Sequence, residues 1–234
     1  MEGLIESSTD FYNICSYAVG IAGNLLALVL FVSPIPTFKR IIRNKSTEHF
    51  SGLPCIYSLL NCLICAFYGL PCVSKGLIMV FTVNMVGAVF QSVYAILFII
   101  YAEHRKRTKM LGLLMGAVFA FALVVFVSLH VCDKDTRRLF VGFLSVASLI
   151  SMFASPLFII NLVIRTKSVE FMPFTLSLAT FLMSISFFAY GLLEHDFFIY
   201  IPNGIGTVLG VVQLLLYAHF SKTFRDDSIQ PLLV

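Results

Sequence analysis

The stretch Ser33-Pro-Ile-Pro-Thr-Phe-Lys-Arg-Ile-Ile-Arg-Asn-Lys-Ser-Thr-Glu48 decides the fold, because a related stretch follows 122 positions later. The second copy reads Ser155-Pro-Leu-Phe-Ile-Ile-Asn-Leu-Val-Ile-Arg-Thr-Lys-Ser-Val-Glu170. A Tyr-Gly-Leu triplet begins at Tyr68 and again at Tyr190, with the same offset of 122. A duplicated unit in a strongly apolar chain is typical of transporters, because a central path can form between two related halves.

The composition indicates an integral membrane protein. The chain has 234 residues, of which 59% are hydrophobic and only 12% are charged, and its mean hydropathy is +0.95. A soluble domain carries roughly 25% charged residues. A membrane-spanning helix needs about 20 apolar residues. Seven such stretches are present, and we number them as spans one to seven: 11–32, 54–73, 77–101, 110–129, 139–164, 172–193 and 197–218.

Lysine and arginine are distributed unequally over the connections between these spans, which predicts an orientation. With the N-terminus outside, the inner segments carry 12 of the 16 basic residues and the outer segments carry 4. The net charge of +4 therefore reflects membrane topology, and we do not expect nucleic-acid binding. The inner group is Lys39, Arg40, Arg43, Lys45, Arg105, Lys106, Arg107, Lys109, Arg165, Lys167, Lys222 and Arg225; the outer group is Lys75, Lys134, Arg137 and Arg138.

Both copies of the repeat place their basic loop on the inner side, so the two copies are parallel. A three-helix unit ends on the side opposite to where it began, so one further crossing must separate the copies. We therefore predict an all-α integral membrane protein with seven transmembrane helices in a 3+1+3 arrangement. The parts are a first three-helix repeat (11–101), a linker helix (110–131), a second three-helix repeat (139–220) and a cytoplasmic tail (221–234).

Five motifs between about Tyr12 and Tyr217 carry a family resemblance: Pro34-Ile-Pro-Thr-Phe-Lys-Arg-Ile-Ile42, Asn44-Lys-Ser-Thr-Glu48, Ala66-Phe-Tyr-Gly-Leu-Pro71, Lys167-Ser-Val-Glu-Phe-Met-Pro173 and Ile201-Pro-Asn-Gly204. Together they resemble the plant type of the SWEET family of sugar transporters. The resemblance implies facilitated, bidirectional movement of a sugar through two three-helix bundles joined by a linker helix. It also implies a homo-oligomer in the plasma or vacuolar membrane; among sugars and membranes we favour a hexose such as glucose and the vacuole.

The spans themselves indicate passive transport. None of the seven stretches contains Asp, Glu, Lys or Arg, and His130 and His219 lie at helix ends. Carriers coupled to protons or to voltage place ionisable groups inside the membrane. We therefore predict a uniporter, although sodium coupling through carbonyl and hydroxyl groups stays open.

Four side chains at similar depth form the candidate pocket. Asn84 lies about 7 residues, or roughly 10 Å, inward from the outer end of span three, and Asn203 lies at a slightly smaller depth in span seven. Cys65 and Phe187 are related by the offset of 122, and the two asparagines by 119. An amide both donates and accepts hydrogen bonds, which suits sugar hydroxyls, and an aromatic face suits the C–H surface of a sugar ring. In SWEETs these positions resemble the sugar-contacting set.

Two departures from the family pattern concern this pocket. The position of Phe187 is often Trp in related chains, but this chain has no Trp. Cys65 is a weaker hydrogen-bonding group than a hydroxyl. We therefore expect a less polar pocket than in other members. The alternative reading of both asparagines, as hydrogen-bonding links between helices, stays open.

Four prolines near the inner ends of spans one, two, five and six are candidate hinges. A proline removes a backbone donor and clashes with the preceding turn, so it kinks a helix. Kinks around one axis would let the inner halves swing, and SWEETs have a matching proline tetrad. Two of the four, in spans two and six, can instead simply begin a helix. The four are Pro34, Pro54, Pro156 and Pro173.

Tyr68 and Asp196 are the candidate outer gate. Tyr68 lies one turn outward from Cys65, and Asp196 in the outer loop can accept a hydrogen bond from it when the path is closed. An interfacial belt of aromatic residues is the alternative explanation of Tyr68.

Other classes of function find less support. No nucleophile–His–acid set, metal site or cofactor motif lies in the spans, and Cys62-x-x-Cys65 lacks a second ligand pair; we expect no enzyme, metal or cofactor. A seven-helix receptor shares the orientation and the Gly23-Asn24 pair, but it lacks an internal repeat. A PQ-loop carrier for a charged solute such as an amino acid would need an ionic partner in the pocket.

Overall fold

Helices joined by short turns and loops make up the part of the chain that the structure describes. The structure is a computed structural model that describes residues 2–229, with side chains from 11 to 221, and no strand occurs between residues 2 and 229. Nine helices are found in this range: α1 Glu2–Val32, α2 Ile35–Asn44, α3 Leu53–Gly69, α4 Ile78–Tyr101, α5 His104–His130, α6 Lys134–Met152, α7 Ala154–Thr166, α8 Phe174–Leu193 and α9 Phe197–Ile229. The side chains of Lys222 and Arg225, and with them the predicted tail 221–234 beyond its first residue, lie outside the described side chains.

Most of the helices are long and apolar enough to cross a membrane. Within 11–221, six helical segments meet this condition by length and composition: 11–44, 78–101, 104–130, 134–166, 174–193 and 197–221. Helix α3 is also apolar but has only 17 residues. That length is at the lower end of the range of about 17–25 residues for a spanning helix. The seven predicted spans therefore correspond to six long helical segments and one short helix.

Span one is interrupted at a proline. Helix α1 ends at Val32, and α2 begins at Ile35 after Ser33 and Pro34. The nitrogen of Pro34 carries no hydrogen, so Pro34 cannot donate the helical hydrogen bond to the carbonyl four residues earlier. The chain continues at once as a helix, because the Phe38 amide donates to the Pro34 carbonyl at 3.1 Å. Pro34 thus marks a break between two helices within one span.

Span five is interrupted in the same way, one turn before its proline. Helix α6 ends at Met152, Phe153 separates the two helices, and α7 begins at Ala154. Pro156 lacks the donor that would bond to the Met152 carbonyl. The Leu157 amide donates to the Phe153 carbonyl at 3.0 Å, which restarts the helix.

The other two prolines lie where helices begin. Pro54 is in the first turn of α3, and Pro173 immediately precedes α8 with φ −60° and ψ 127°. A proline is well tolerated there, because the first amides of a helix have no partner within it. The prolines of the hinge hypothesis therefore fall into two pairs, two at breaks and two at helix starts.

Span two is shorter than the apolar run that predicted it. The expected end was Val73, but α3 ends at Gly69, and Leu70 is extended with φ −75° and ψ 148°. Leu70 precedes Pro71, and the ring of a proline disfavours the helical conformation of the residue before it. Span four differs in the opposite sense, since α5 begins at His104, six residues before the apolar run.

Contacts between Cα atoms group the chain into two compact units. Unit 1 comprises Met1–Leu30 with Leu149–Val234, and unit 2 comprises Phe31–Ser148. Within unit 1, α8 packs along α9 and α7 also contacts α9. Within unit 2, α3 packs along α4, and α5 lies against both. Most of α1 is thus grouped with helices of the second repeat.

The repeat is visible in how closely paired helices approach. A Cβ at Gly69 on α3 would lie 2.9 Å from the backbone nitrogen of Phe81 on α4. A Cβ at Gly191 on α8 would lie 2.6 Å from the backbone nitrogen of Tyr200 on α9. The two glycines are 122 positions apart and their partners 119. In each pair, the backbones of the two helices therefore come into contact at equivalent positions. Such a close approach requires glycine, because any other residue would place a Cβ atom in the contact.

A second pair of glycines repeats the pattern. Gly87 on α4 and Gly206 on α9 are again 119 positions apart, and in both cases a Cβ would clash with a side chain. The neighbours correspond one to one by the offset of 122: Phe31 and Cys62 in the first half, Phe153 and Ser184 in the second.

Candidate functional site

Asn84 and Asn203 have the same local environment in the two units. The Asn84 side chain donates to the Val80 carbonyl at 2.9 Å, and the Asn203 side chain donates to the Ile199 carbonyl at 2.8 Å. Both asparagines are half-buried. Each of these bonds lies within one helix, four residues back, and uses one of the two N–H groups. Each side chain thus keeps its oxygen acceptor and one N–H donor for another partner.

Cys65 lies in unit 2 on the buried face of α3 and is 6% exposed. Its sulfur is 3.7 Å from Oδ1 of Asn61, one turn inward on the same helix. Ser148 on α6 donates to the same Oδ1 at 2.7 Å. Three polar side chains from two helices therefore meet at one buried oxygen next to the predicted cysteine.

Asn61 is a candidate that the sequence reasoning missed. It is buried, and both of its described contacts go to its oxygen. The candidate pocket was assembled from residues that are matched in both repeats, and the equivalent of Asn61 is the apolar Met183. The available signal was the spacing Asn61–Cys65, because residues four apart share one face of a helix.

Phe187 lies in unit 1 on α8 and is 6% exposed. Its ring meets Tyr190 edge to face, with centroids 6.3 Å apart. Gly23 of α1 lies against the same ring, so close that a Cβ there would be 2.8 Å from a ring carbon. The aromatic candidate is therefore held by one tyrosine and by the backbone of α1.

The two candidates for the outer gate are both buried. Tyr68, at the outer end of α3, is 1% exposed, and Asp196 is fully buried just before α9. Asp196 begins α9, because its Oδ1 accepts the Phe198 amide at 3.1 Å, as is typical of an aspartate at a helix N-cap. The hydrogen bond between Tyr68 and Asp196 stays a prediction.

A polar cluster at the outer end of unit 1 was not predicted. Tyr12 of α1 donates to the Leu193 carbonyl and stacks on His195 with ring centroids 6.2 Å apart. Ser16 donates to Glu194 at 2.6 Å. The cluster ties α1 to the turn between α8 and α9. Its members are separated by about 180 positions in the chain, so local sequence patterns carry no signal for it.

The loop between α2 and α3, which we call the inner loop of unit 2 after the side predicted for it, is held by a bidentate ion pair. Arg40 donates to both carboxylate oxygens of Glu48, at 2.6 and 3.2 Å, and Asn44 donates to one of them at 2.7 Å. Lys106 at the start of α5 donates to the Glu48 carbonyl at 2.5 Å. The hydrogen bond from Arg40, and then that from Asn44, hold the pKa of the Glu48 carboxyl below its ordinary value.

The second repeat has the glutamate but not this arginine. Glu170 is the equivalent of Glu48, whereas Leu162 takes the place of Arg40. The turns themselves are alike: Lys45 and Lys167 both adopt left-handed backbone, with φ 49° and 53°. The two loops therefore share the left-handed lysine, but they differ at the glutamate, where Glu48 has φ 45° and Glu170 has no positive φ, and in their side-chain links.

Comparisons with known proteins decide the family. A family model described as "Sugar efflux transporter for intercellular exchange" matches residues 17–106 and 139–225. The protein named bidirectional sugar transporter SWEET2a of Oryza sativa subsp. japonica is 65% identical over 229 residues, which is 98% of this chain and 94% of that protein. The chain belongs to the SWEET family. A second SWEET, bidirectional sugar transporter SWEET2 of Arabidopsis thaliana, is 58% identical over 223 residues, or 95% of this chain and 94% of its own length.

A solved SWEET structure has the same fold. The 3.7 Å resolution structure of a eukaryotic SWEET transporter matches with a TM-score of 0.89 and 58% identity, over 91% of this chain and 99% of that one. The family resemblance and the 3+1+3 helical architecture predicted from the sequence are thereby confirmed. The two segments matched by the family model leave out most of α5, the predicted linker helix. As a SWEET with several apolar helices, the chain is a multi-pass membrane protein.

Proposed function

We propose that this SWEET is a bidirectional, facilitative sugar transporter: a uniporter for a hexose such as glucose that works by alternating access around a central pocket between its two repeats. The observation that carries the proposal is the matched pair Asn84 and Asn203, each bonded only to its own helix among the described hydrogen bonds. Family membership supports a sugar as substrate, because relatives that are 58% and 65% identical are named bidirectional sugar transporters.

The pocket that we propose binds a sugar from both repeats. Asn84 and Asn203 each offer an acceptor and a donor to sugar hydroxyls, which both give and accept hydrogen bonds. Phe187 offers an aromatic face to the C–H surface of the ring. Cys65 adds a soft, weakly polar surface, and Asn61 beside it adds an amide. Because neither Trp nor a charged group takes part, we expect moderate affinity and a neutral substrate.

The absence of charge along the helices supports passive transport. Helices α3, α4 and α8 contain no Asp, Glu, Lys or Arg from their first residue to their last. A carrier driven by protons needs an ionisable side chain that changes its charge during the cycle. We therefore propose that the sugar gradient alone drives net movement, in either direction.

Alternating access requires a hinge and a gate. We propose that α2 and α7 swing about the breaks at Pro34 and Pro156, while Pro54 and Pro173 set the starts of α3 and α8. The prolines support this role, because a proline has no backbone N–H to donate and therefore lowers the cost of bending a helix at its position. We propose that Tyr68 and Asp196 close the outer side, because a phenol hydroxyl can donate a hydrogen bond to a carboxylate.

The remaining proposals concern the cellular setting. The excess of basic residues in alternate loops supports an N-terminus on the non-cytoplasmic side and a C-terminus in the cytoplasm. We propose the vacuolar or the plasma membrane as the location and a homo-oligomer as the assembly. No cofactor is proposed.

Transport by the purified chain in liposomes tests the proposed function. Proteoliposomes loaded with unlabelled glucose and diluted into labelled glucose report exchange without any ion gradient, and labelled sucrose in parallel tests the hexose preference. We expect saturable uptake of glucose that exceeds uptake of sucrose. Empty liposomes give the background. Uptake of both sugars at that background would overturn the proposal, and faster uptake of sucrose would overturn the choice of a hexose.

A further inference from the structure

Gly23 on α1 lies very close to the ring of Phe187. A Cβ at position 23 would lie 2.8 Å from Cε2, 3.0 Å from Cδ2 and 3.2 Å from Cζ of that ring. All three distances are shorter than ordinary carbon–carbon contact at about 3.5–4.0 Å. The ring therefore occupies the space that any side chain at position 23 would need.

The buried face of α1 is made of small residues. The positions one turn apart that face inward are Ser16, Gly20, Gly23 and Ala27, and all four are buried. Larger residues elsewhere on α1, such as Leu25 and Ile21, are exposed. Small residues let helices approach closely in a membrane. Here the ring of Phe187 packs against this face at Gly23. The position of the ring therefore depends on the absence of a side chain at Gly23.

The equivalent positions in unit 2 are occupied by two small residues. The counterpart of Gly23 is Ser145 on α6, and the counterpart of Phe187 is Cys65 on α3, both at the offset of 122. Ser145 and Cys65 are both buried. The aromatic ring and the glycine that makes room for it therefore occur in unit 1 and not at the equivalent positions of unit 2.

We propose that Gly23 is a positioning residue for Phe187 and, through the ring, a determinant of sugar affinity. This inference rests on the proposed function, in which Phe187 contacts the sugar. The missing side chain at position 23 lets the ring lie directly against the backbone of α1, and this sets how much of the pocket the ring fills. Gly23 itself does not touch the sugar.

A larger residue at position 23 must displace the ring. With alanine, the nearest ring atom has to retreat by several tenths of an ångström to reach ordinary contact. The ring can turn about its own side-chain bonds, so the helix packing is retained while the aromatic face moves. The expected consequence is weaker sugar binding with little change in the maximal rate.

A double-mutant cycle in proteoliposomes tests the inference. Wild type, Gly23→Ala, Phe187→Cys and the double variant are compared in the concentration dependence of glucose exchange. We expect Gly23→Ala to raise KM about fivefold, equivalent to about 1 kcal/mol, with the maximal rate within about twofold. In the Phe187→Cys background Gly23→Ala should change nothing, because the clashing ring atoms are gone. Gly116→Ala is the control, since a Cβ there meets no atom within 4 Å.

Thermal unfolding of the same four proteins provides a second cycle that needs no transport. Gly23→Ala should lower Tm in the wild-type background and leave Tm unchanged in the Phe187→Cys background. If Phe187→Cys is present in the membrane but does not exchange glucose, Phe187→Val serves as the second background, because valine lacks Cδ2, Cε2 and Cζ.

The outcomes separate the inference from the proposed function. An equal rise in KM for Gly23→Ala in both backgrounds would mean that the glycine acts through helix packing, and the inference would fail. Wild-type kinetics of Gly23→Ala beside an impaired Phe187→Cys would also refute it, while the sugar-binding role of Phe187 would stand. Wild-type kinetics of Phe187→Cys would instead refute the proposed contact between Phe187 and the sugar, and the inference with it.

Discussion

Asn84 and Asn203 hydrogen-bond in the same way at equivalent positions of the two repeats. Each donates to the carbonyl four residues earlier in its own helix, at 2.9 Å and 2.8 Å. The interhelical reading of these asparagines requires bonds to another helix, and the described hydrogen bonds of both side chains are local. The local bond fixes the orientation of each amide and leaves an oxygen and one N–H for another partner, which we propose is the sugar.

Removing either amide should reduce glucose uptake strongly. Asn84→Ala and Asn203→Ala each remove hydrogen bonds to the sugar, at about 0.5–1.5 kcal/mol per bond and more where a polar group is left unpaired. Uptake of labelled glucose into proteoliposomes is the measurement, with the amount of folded protein checked by size-exclusion chromatography. Asn161→Ala is the control, because Asn161 is exposed on α7. Wild-type uptake by both variants would contradict the pocket assignment.

Replacing Asn61 should lower the thermal stability of the protein more than replacing its hydrogen-bonding partner Ser148. Asn61→Leu removes the acceptor that Ser148 contacts at 2.7 Å and Cys65 contacts at 3.7 Å. The Ser148 hydroxyl keeps the Ser145 carbonyl at 3.0 Å, so the expected cost is that of the lost hydrogen bonds, about 0.5–1.5 kcal/mol each. Ser148→Ala removes only one donor to Asn61 and should cost less. Thermal unfolding and the KM for glucose of both variants check the order. If Ser148→Ala proves as harmful as Asn61→Leu, the amide has no role beyond accepting this one bond.

The prolines at the breaks should control turnover more than binding. Pro34→Ala and Pro156→Ala each supply a backbone donor, so the helix should become straighter and stiffer at that position; Pro36 in the first turn of α2 still lacks its donor. We expect glucose flux to fall several-fold while equilibrium binding changes little, as for other variants that impair a conformational step. Flux and binding are measured on the same preparation. Pro54→Ala is the comparison at a helix start.

Two results would contradict the hinge hypothesis. Unchanged flux in the double variant Pro34→Ala/Pro156→Ala would show that the breaks are static. A loss of binding equal to the loss of flux would mean that the prolines shape the pocket instead.

The stability that the Arg40–Glu48 ion pair contributes should decrease at acidic pH. The pKa of Glu48 is lowered in the folded chain from its ordinary value of 4.5, chiefly by the hydrogen bond from Arg40. A lowered pKa means stability that is fully present above the ordinary value and is lost as the pH falls through the folded value. The Tm difference between wild type and Glu48→Gln should therefore be constant near neutral pH and shrink below about 4.5.

Glu170→Gln is the control for this prediction, because Glu170 is the equivalent residue and Leu162 stands where Arg40 does. Its effect on Tm should be smaller at neutral pH. An equal effect of the two substitutions would mean that Arg40 adds nothing to the inner loop.

The architecture could be predicted because the two repeats have the same or similar residues at equivalent positions. The offset of 122 pairs Cys65 with Phe187 and Pro34 with Pro156, and parallel repeats then require a linker helix. Asn61 was missed for the same reason, since its counterpart is apolar and it belongs to no matched pair. Contacts between distant segments, such as Ser16 with Glu194, depend on tertiary packing and have no local signature.

Helix ends were predicted least well, for reasons of local chemistry. Counting apolar residues extended span two to Val73, but Pro71 forces Leu70 out of the helical conformation. The same counting began span four at Met110, although a helix continues through charged residues to His104, because backbone hydrogen bonds do not require an apolar side chain.

The direct test of passive transport is whether a proton gradient can drive glucose above equilibrium. Proteoliposomes containing the wild-type chain are given equal glucose on both sides and a pH difference of about two units, which stores about 2.7 kcal/mol per proton. Because α3, α4 and α8 carry no ionisable acid or base of the Asp, Glu, Lys and Arg types, we predict that the internal and external concentrations of labelled glucose stay equal while exchange remains fast. Accumulation of glucose on one side, abolished by a protonophore, would contradict the central claim of passive transport.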